Sequence, residues 1–452
     1  MKRFPGILIC LLLLVACGPE VVPDDPAGTE TPAPEPAPTP EPEPDPDPVL
    51  QFTGPMLDLF PGETAPLVCE VSEGVAGKTY TIDYTSSNPS VATIDKDGLV
   101  SAKKAGSTVI RATEPESGIF AERKIYVVDM GQMTAAYDPA RKYSCGHTLY
   151  YKSVVQSWDF FNDYMYACQV CGAPHTLTFT RKPVGAQGPQ SYMHLKYYGH
   201  GDNIFVERCD DGDWLWVSNY GTLESGETNR YAESQVLSRV KFRDGQTFLP
   251  VQADFNIMIP GMKRMIAAYD QDNRTVGIWC RNISNVAWFY VYDIDTIKSA
   301  PVENIQVSYS IRYGSPAVTE KPIVKAVNLN KIPPLVKFQM PLNNIAQGYE
   351  WHHGKLWYFR GAGAEPEAVA AGTGKNWATA YLINSSGKLL KTVSIPWVDD
   401  LSLLKSEGLT DLGYFEAEGI KIKDGVLYIG FASRDAGSSP DRRVNIFKYP
   451  LD

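Results

Sequence analysis

Three stretches of this sequence repeat one spacing of chemically distinct residues. Gln156, Gln347 and Glu418 are each followed seven residues later by a turn residue (Asp163, Gly354, Gly425), and nine and ten residues later by an apolar and an aromatic one (Met165 and Tyr166, Leu356 and Trp357, Leu427 and Tyr428). Two looser copies put His200 ahead of Gly212, Trp214, Leu215 and Trp216, and Arg264 ahead of Asp272, Asn273, Val276 and Trp279. The five leading residues are one carboxylate, one guanidinium, one imidazole and two amides, a set of directional donors and acceptors suited to the hydroxyl groups of a sugar or polar polymer. Gathered around a channel, they can equally satisfy one another and ordered water. Among the neighbouring aromatics, Tyr349 and Trp351 are the pair expected to stack on a sugar face. Trp158, Phe160, Phe161, Tyr197, Tyr198 and Trp357 are expected mainly in the core.

Other constellations carry less. Glycan hydrolysis needs two carboxylates set apart by a defined gap, whereas Glu416 and Glu418 lie two residues apart on one strand face and nothing places Asp202 or Glu350 opposite them. No catalytic residue is assigned. His352 and His353 are adjacent, and in a strand neighbouring side chains point to opposite faces, which makes a poor metal pair. Cys168 and Cys171 lack the second close pair that a zinc site wants. Asp210-Asp211-Gly212-Asp213 and Asp270-Gln271-Asp272-Asn273 lack the full calcium-loop spacing, so hairpin turns are expected there. Neither metal nor cofactor is expected.

The repeat implies the elements that carry it. A polar residue, a strand, a tight turn and a second strand, recurring five times with unequal insertions, describe small antiparallel sheets arranged as a β-propeller over residues 130–452. The first strand of each blade lines the axis, so Gln156, His200, Arg264, Gln347 and Glu418 should meet at the channel mouth. If they are only structural, the insertions around 220–233 and 361–377 are the next place to look. Ahead of this region, residues 49–129 read as strands and turns: Leu67, Cys69 and Val71, and then Ile125 and Val127, alternate as in half-buried strands, with Gly62, Asp97-Gly98 and Ala105-Gly106 as turns. The fold class is therefore all-β, a small sandwich followed by a propeller of five blades, with a protease-accessible junction expected near residue 130.

The N-terminus has a different character. Lys2 and Arg3 precede an apolar run from Ile7 to Val15 that is too short to span a bilayer as a mature helix, which is the order of a signal peptide. Leu14-Val15-Ala16-Cys17 resembles a lipobox, which implies cleavage before Cys17 and a diacylglycerol on its thiol, so residues 1–17 are signal and lipidated cysteine. Residues 18–48 hold 12 prolines and nine acidic residues without one basic residue. Such a segment buries no apolar surface and favours extended polyproline II; at about 3.1 Å per residue it reaches roughly 95 Å. Without this segment and the two N-terminal cations, 43 acidic residues face 40 basic ones, so no basic face argues for nucleic acid. Export permits disulfides among Cys69, Cys145, Cys168, Cys171, Cys209 and Cys280, although buried thiols are the simpler expectation.

Two family resemblances follow from motifs. Tyr84 to Ala112, with Ser86-Ser87-Asn88-Pro89-Ser90-Val91-Ala92-Thr93, the Asp97-Gly98 turn and the Ala105-Gly106 turn, resembles the bacterial immunoglobulin-like group 2 family, which implies a small non-catalytic sandwich used as stalk or adhesive module. Met193 to Gly201, Gln156-Ser157, Gln235 to Arg239, Glu418-Gly419-Ile420 and Leu427 to Phe431 resemble the helveticin-J-like family, which implies a five-bladed propeller. The expected protein is a monomeric lipoprotein on the outer membrane or cell surface. It touches the membrane through its lipid alone and binds an extracellular carbohydrate or cell-envelope polymer through its head. A glycan hydrolase, or an anchored bacteriocin-like antibacterial or adhesion module, are the alternatives.

Overall fold

The computed structural model describes residues 48–451 except 76, 172–175, 186–190, 225–230, 311–317 and 437–441. Signal peptide, Cys17 and all of the tether but Pro48 lie outside the described residues, as does the middle of the 220–233 insertion.

The first domain is an immunoglobulin-like β-sandwich. One sheet orders Asp58–Leu59, Phe120–Val127, Gly106–Thr113 and Asp83–Ser86; the other orders Thr64–Pro66, Leu99–Ala102 and Ala92–Ile94, with Val49–Phe52 paired to Cys69–Glu73. Phe52, Leu59, Val100, Ile110, Ile125 and Val127 fill the space between them, the inward half of each period-two alternation. The Asp97-Gly98 turn needs its glycine twice over: φ is +78°, and a Cβ would come within 2.8 Å of the Leu67 carbonyl oxygen.

The second domain is a β-propeller. Among the described residues its strands include five four-stranded antiparallel blades, running from the axis outward, with Thr247–Phe248, Val302–Gln306 and Ile323–Asn328 added at their margins. Blade one is Val155–Phe161, Tyr164–Cys171, Thr176–Pro183 and Ser191–Lys196; blade two is Phe205–Cys209, Gly212–Thr222, Glu233–Lys241 and Phe255–Met258. Blade three is Met262–Asp270, Thr275–Asn282, Ala287–Asp293 and Val336–Gln339; blade four is Gly348–His352, Lys355–Ala362, Trp377–Asn384 and Leu389–Ser394. Blade five is Phe415–Lys423, Val426–Arg434, Arg442–Pro450 and, outermost, Lys142–Thr148. The inner strands touch in succession, the fifth returning to the first. The domain's first strand thus completes its last blade, pairing with Arg442–Pro450, so the ring closes by hydrogen bonds.

Apolar side chains between successive blades hold this arrangement. Tyr166, Leu177 and Phe179 of blade one pack with Val206, Leu215 and Val217 of blade two, and Trp357, Phe359 and Leu382 of blade four pack with Ile420, Leu427 and Phe431 of blade five. Each such side chain, fully buried, contributes roughly 1.5–3 kcal/mol. Toward the axis the inner strands of blades four and five come so close that a Cβ on Gly348 would lie 2.6 Å from the Gly419 Cα. Only glycine fits there.

The two domains share a buried seam. Val128, Met130 and Met133 are buried with the core of blades four and five. The junction at residues 128–133 is therefore packed, while Thr134, Ala135 and Ala136 immediately after it are exposed. The sandwich meets the hairpin turns at the far ends of the inner strands: Met56 N donates to Asn273 Oδ1 at 2.6 Å, Asn273 Nδ2 donates to the Met56 carbonyl, and Asp58 N donates to the His353 carbonyl at 2.9 Å. No helix among the described residues is long and apolar enough to cross a membrane.

Candidate functional site

At the opposite end of the inner strands, where they begin, lies a cavity of about 460 Å³. Its wall includes Gln156, His200, Gln347 and Glu418, four of the five leading residues, from blades one, four and five and from the segment entering blade two. Asp202, Arg360, Glu416, Gly361 and the half-exposed Trp377 complete the polar part of the wall. The four leading residues converge because each lies just before or in the first half of an inner strand, and a small residue, Ser157, Gly201, Gly348 or Gly419, follows each and lets the strands crowd together. That polar-small pair is a sequence signal for the axis in its own right.

Arg264 takes a different place. It is 1 % exposed and does not border the cavity; its Nη2 lies 2.6 Å from Asp202, so it holds a wall carboxylate from behind. The structure corrects the expectation for Tyr349 and Trp351. Both are buried between blades three and four, with Tyr349 Oη donating to the Ile266 carbonyl at 2.5 Å and Trp351 Nε1 donating to Thr275 Oγ1 at 3.2 Å. Packing on Trp279 and Phe289 of blade three holds them away from the cavity, and Trp377, at the end of the 361–377 insertion, is an aromatic residue beside it, with the Arg360 guanidinium 5.6 Å from its ring centre.

The carboxyl groups of the wall are electrostatically unusual. Burial pushes Glu418 well above the ordinary carboxylate range, and neighbouring Glu416 and Asp202 add to the shift. Glu416 is raised too, chiefly by burial, with hydrogen bonds from Tyr414 and Glu418 opposing it. The two glutamates hydrogen-bond to each other, and Gln347 Nε2 donates to Glu416 Oε1 at 3.0 Å. A protonated Glu418 donating to Glu416 is the arrangement that satisfies both.

Below the cavity the axis is filled by charge pairs joining different blades. Lys421 Nζ lies 3.1 Å from Glu350 and donates to the Ile204 carbonyl at 2.8 Å, while Lys423 lies 3.4 Å from Asp159. Glu350 thus belongs to the interior and not to the site. The six described cysteines are free thiols. Asp270 to Asn273 form a turn between two strands of blade three, as expected, and Gly212 opens the second strand of blade two.

A second polar cluster, at the domain seam, joins His352 and His353, set aside above as a poor metal pair, to Asp58, which no sequence signal marked. His353 has φ +44°, which with Gly354 (φ +77°) makes a tight left-handed turn and swings its ring alongside that of His352, with centroids 3.7 Å apart. The rule that adjacent strand residues face apart fails because His353 is not extended. Both rings meet Asp58: His352 Nδ1 lies 2.8 Å from Oδ2 and His353 Nδ1 2.9 Å from Oδ1, and His353 Nε2 lies 2.9 Å from Asp272. Burial opposes charge on His353, but hydrogen bonds to Asp272 and Asp58 push it up to about 10.

Comparison with known proteins bears on the first domain. Residues 70–116 match the family described as intimin, immunoglobulin-like domain. No curated protein matches the sequence. Solved structures that overlap it include a hypothetical protein from Leishmania major (12% identity, 71% of this chain and 93% of that one, TM-score 0.33). Others are the polysaccharide lyase Uly1 (10%, 72% and 96%, TM-score 0.27) and the WD40 domain of Toxoplasma gondii coronin (10%, 69% and 75%, TM-score 0.29). Overlaps this loose carry no argument about what the chain does.

Proposed function

We propose that this protein is a surface-displayed lipoprotein whose propeller head binds an extracellular carbohydrate or cell-envelope polymer at the mouth of its axial channel. The observation that carries the reading is the convergence of Gln156, His200, Gln347 and Glu418 on one open cavity beside a half-exposed Trp377. Amide, imidazole and carboxyl groups give directional hydrogen bonds to hydroxyls, and the indole gives a flat apolar face. The charges largely cancel, since Asp202 pairs with Arg264 and Glu418 is held toward its neutral form. A neutral, hydroxyl-rich ligand suits such a wall better than an anion.

Geometry favours display. The cavity opens at the starts of the inner strands, and the sandwich sits at their far ends. The intimin-like match of residues 70–116 is compatible with such exposure, and the lipobox-like tetrapeptide supports lipid anchoring in an outer membrane or cell surface. The finer kinships, to bacterial immunoglobulin-like group 2 domains and to helveticin-J-like propellers, rest on the motifs quoted above.

Detergent-solubilised full chain should bind a restricted set of neutral glycans on an array and release no oligosaccharide from them. Gln347→Ala combined with Glu418→Ala should abolish that binding while the melting temperature stays within a few degrees. Normal binding by the double variant would place the site elsewhere.

A further inference from the structure

We infer that Asp58, His352 and His353 form a site for a divalent transition-metal ion of the zinc type, at the seam between the sandwich and the propeller. Asp58 comes from the first domain and the two histidines from the inner hairpin of blade four, and all three are buried. Their ligand atoms, one carboxylate oxygen and two imidazole nitrogens, lie within 4.8 Å of one another. Around zinc at about 2.0–2.1 Å from each donor, ligand atoms sit roughly 3.3 Å apart. The 2.8 and 2.9 Å contacts from Asp58 to the two rings need only a small opening to seat an ion between them.

The surroundings match those of a metal ligand set. When a histidine binds a metal through one ring nitrogen, the other nitrogen characteristically donates to a carboxylate that fixes the ring. His353, with Nδ1 directed at Asp58, has Nε2 2.9 Å from Asp272. Asp270 holds the same residue by its backbone, accepting from His353 N at 2.8 Å. The left-handed backbone of His353 is uncommon for a residue with a side chain, and here it is what aligns both Nδ1 atoms on one carboxylate. Three aspartates, Asp58, Asp270 and Asp272, surround two imidazoles, a balance that a divalent cation would neutralise while displacing the Nδ1 protons. Access is available: a cavity of about 800 Å³ is bordered by Leu57, Asp272 and Gly354, next to the cluster. Two nitrogens and one oxygen suit zinc, with water in the fourth position, and do not suit calcium or magnesium, which take oxygen donors. The ion would staple the two domains. This inference is independent of glycan binding by the head.

The test uses the full chain, stripped with chelator, dialysed and titrated with zinc by calorimetry, and with cobalt by absorption. The expected result is one equivalent of zinc, with tetrahedral cobalt bands in the visible and no thiolate charge-transfer band from the free cysteines. Asp58→Asn and His352→Gln, which preserve side-chain size, should lose stoichiometric binding. Asp272→Asn, which touches only the outer nitrogen of His353, should weaken it by about 10- to 100-fold. Should Asp58→Asn or His352→Gln fail to fold by circular dichroism, Asp272→Asn and the wild-type cobalt spectrum decide. No stoichiometric zinc on the wild type, a thiolate band, or unchanged affinity in folded variants would show the cluster to be an ion pair and overturn the inference.

Discussion

Replacing Lys421 by Met tests whether buried charge pairs tie the blades together at the axis. Lys421 Nζ lies 3.1 Å from Glu350 Oε2 and donates to the Ile204 carbonyl at 2.8 Å, and the two side chains of the pair are 1 % and 2 % exposed. One ammonium group therefore joins blade five to blade four and to the segment entering blade two. Met keeps the volume but leaves Glu350 without its cation. Removing one member of a buried pair costs about 3–5 kcal/mol. Glu350 is already above the ordinary carboxylate range, because burial outweighs the pull of Lys421. It can take up a proton when the lysine goes, which moves the expected loss to about 3 kcal/mol, the lower end of that range. Adding Glu350→Leu removes the stranded carboxyl, so the double variant should recover most of the loss. Urea unfolding of the full chain, followed by tryptophan fluorescence, measures both. A loss below about 1 kcal/mol in the single variant, or a double variant no better than the single, would refute the reasoning.

Gly348→Ala should lower stability by about 1–3 kcal/mol, because its Cβ would meet the Gly419 backbone at 2.6 Å; a melting temperature equal to wild type would mean that the inner strands do not approach so closely. Glu418→Gln should change how stability depends on pH. A carboxyl raised in the fold contributes stability that is complete below its ordinary value of 4.5 and is lost as pH rises through the raised value, so the variant should lose less stability than wild type on going to alkaline pH. Parallel pH profiles of unfolding free energy for the two proteins would contradict the shift. Cys17→Ala should abolish labelling by a fatty-acid analogue and release the protein from membranes, and equal labelling of both proteins would end the lipoprotein reading.

Much of the architecture was legible because it is local and repetitive. A polar residue, a turn seven residues on and an apolar-aromatic pair recur wherever an inner hairpin forms, and that spacing located Gln156, Gln347 and Glu418, which line one cavity. The looser units located His200 on the same wall, but put Arg264 in the ring when it lies behind Asp202. Asp202, Arg360 and Trp377 belong to no repeat position, and nothing in the spacing marks them.

What the sequence by itself determined is the all-β order of the chain and the recurrence of its inner hairpins, since strand period and turn chemistry are properties of neighbouring residues. Only the tertiary structure decided which side chains meet. Tyr349 and Trp351 are buried because blade three packs against the face they occupy, and Glu418 is pushed toward its neutral form because the fold buries it, with Glu416 and Asp202 adding to the shift. The pairing of His352 with His353 needed both levels. A left-handed turn at His353 cancels the strand alternation, and Asp58, almost 300 positions earlier in the chain, is brought to both rings by a domain seam that no local pattern encodes.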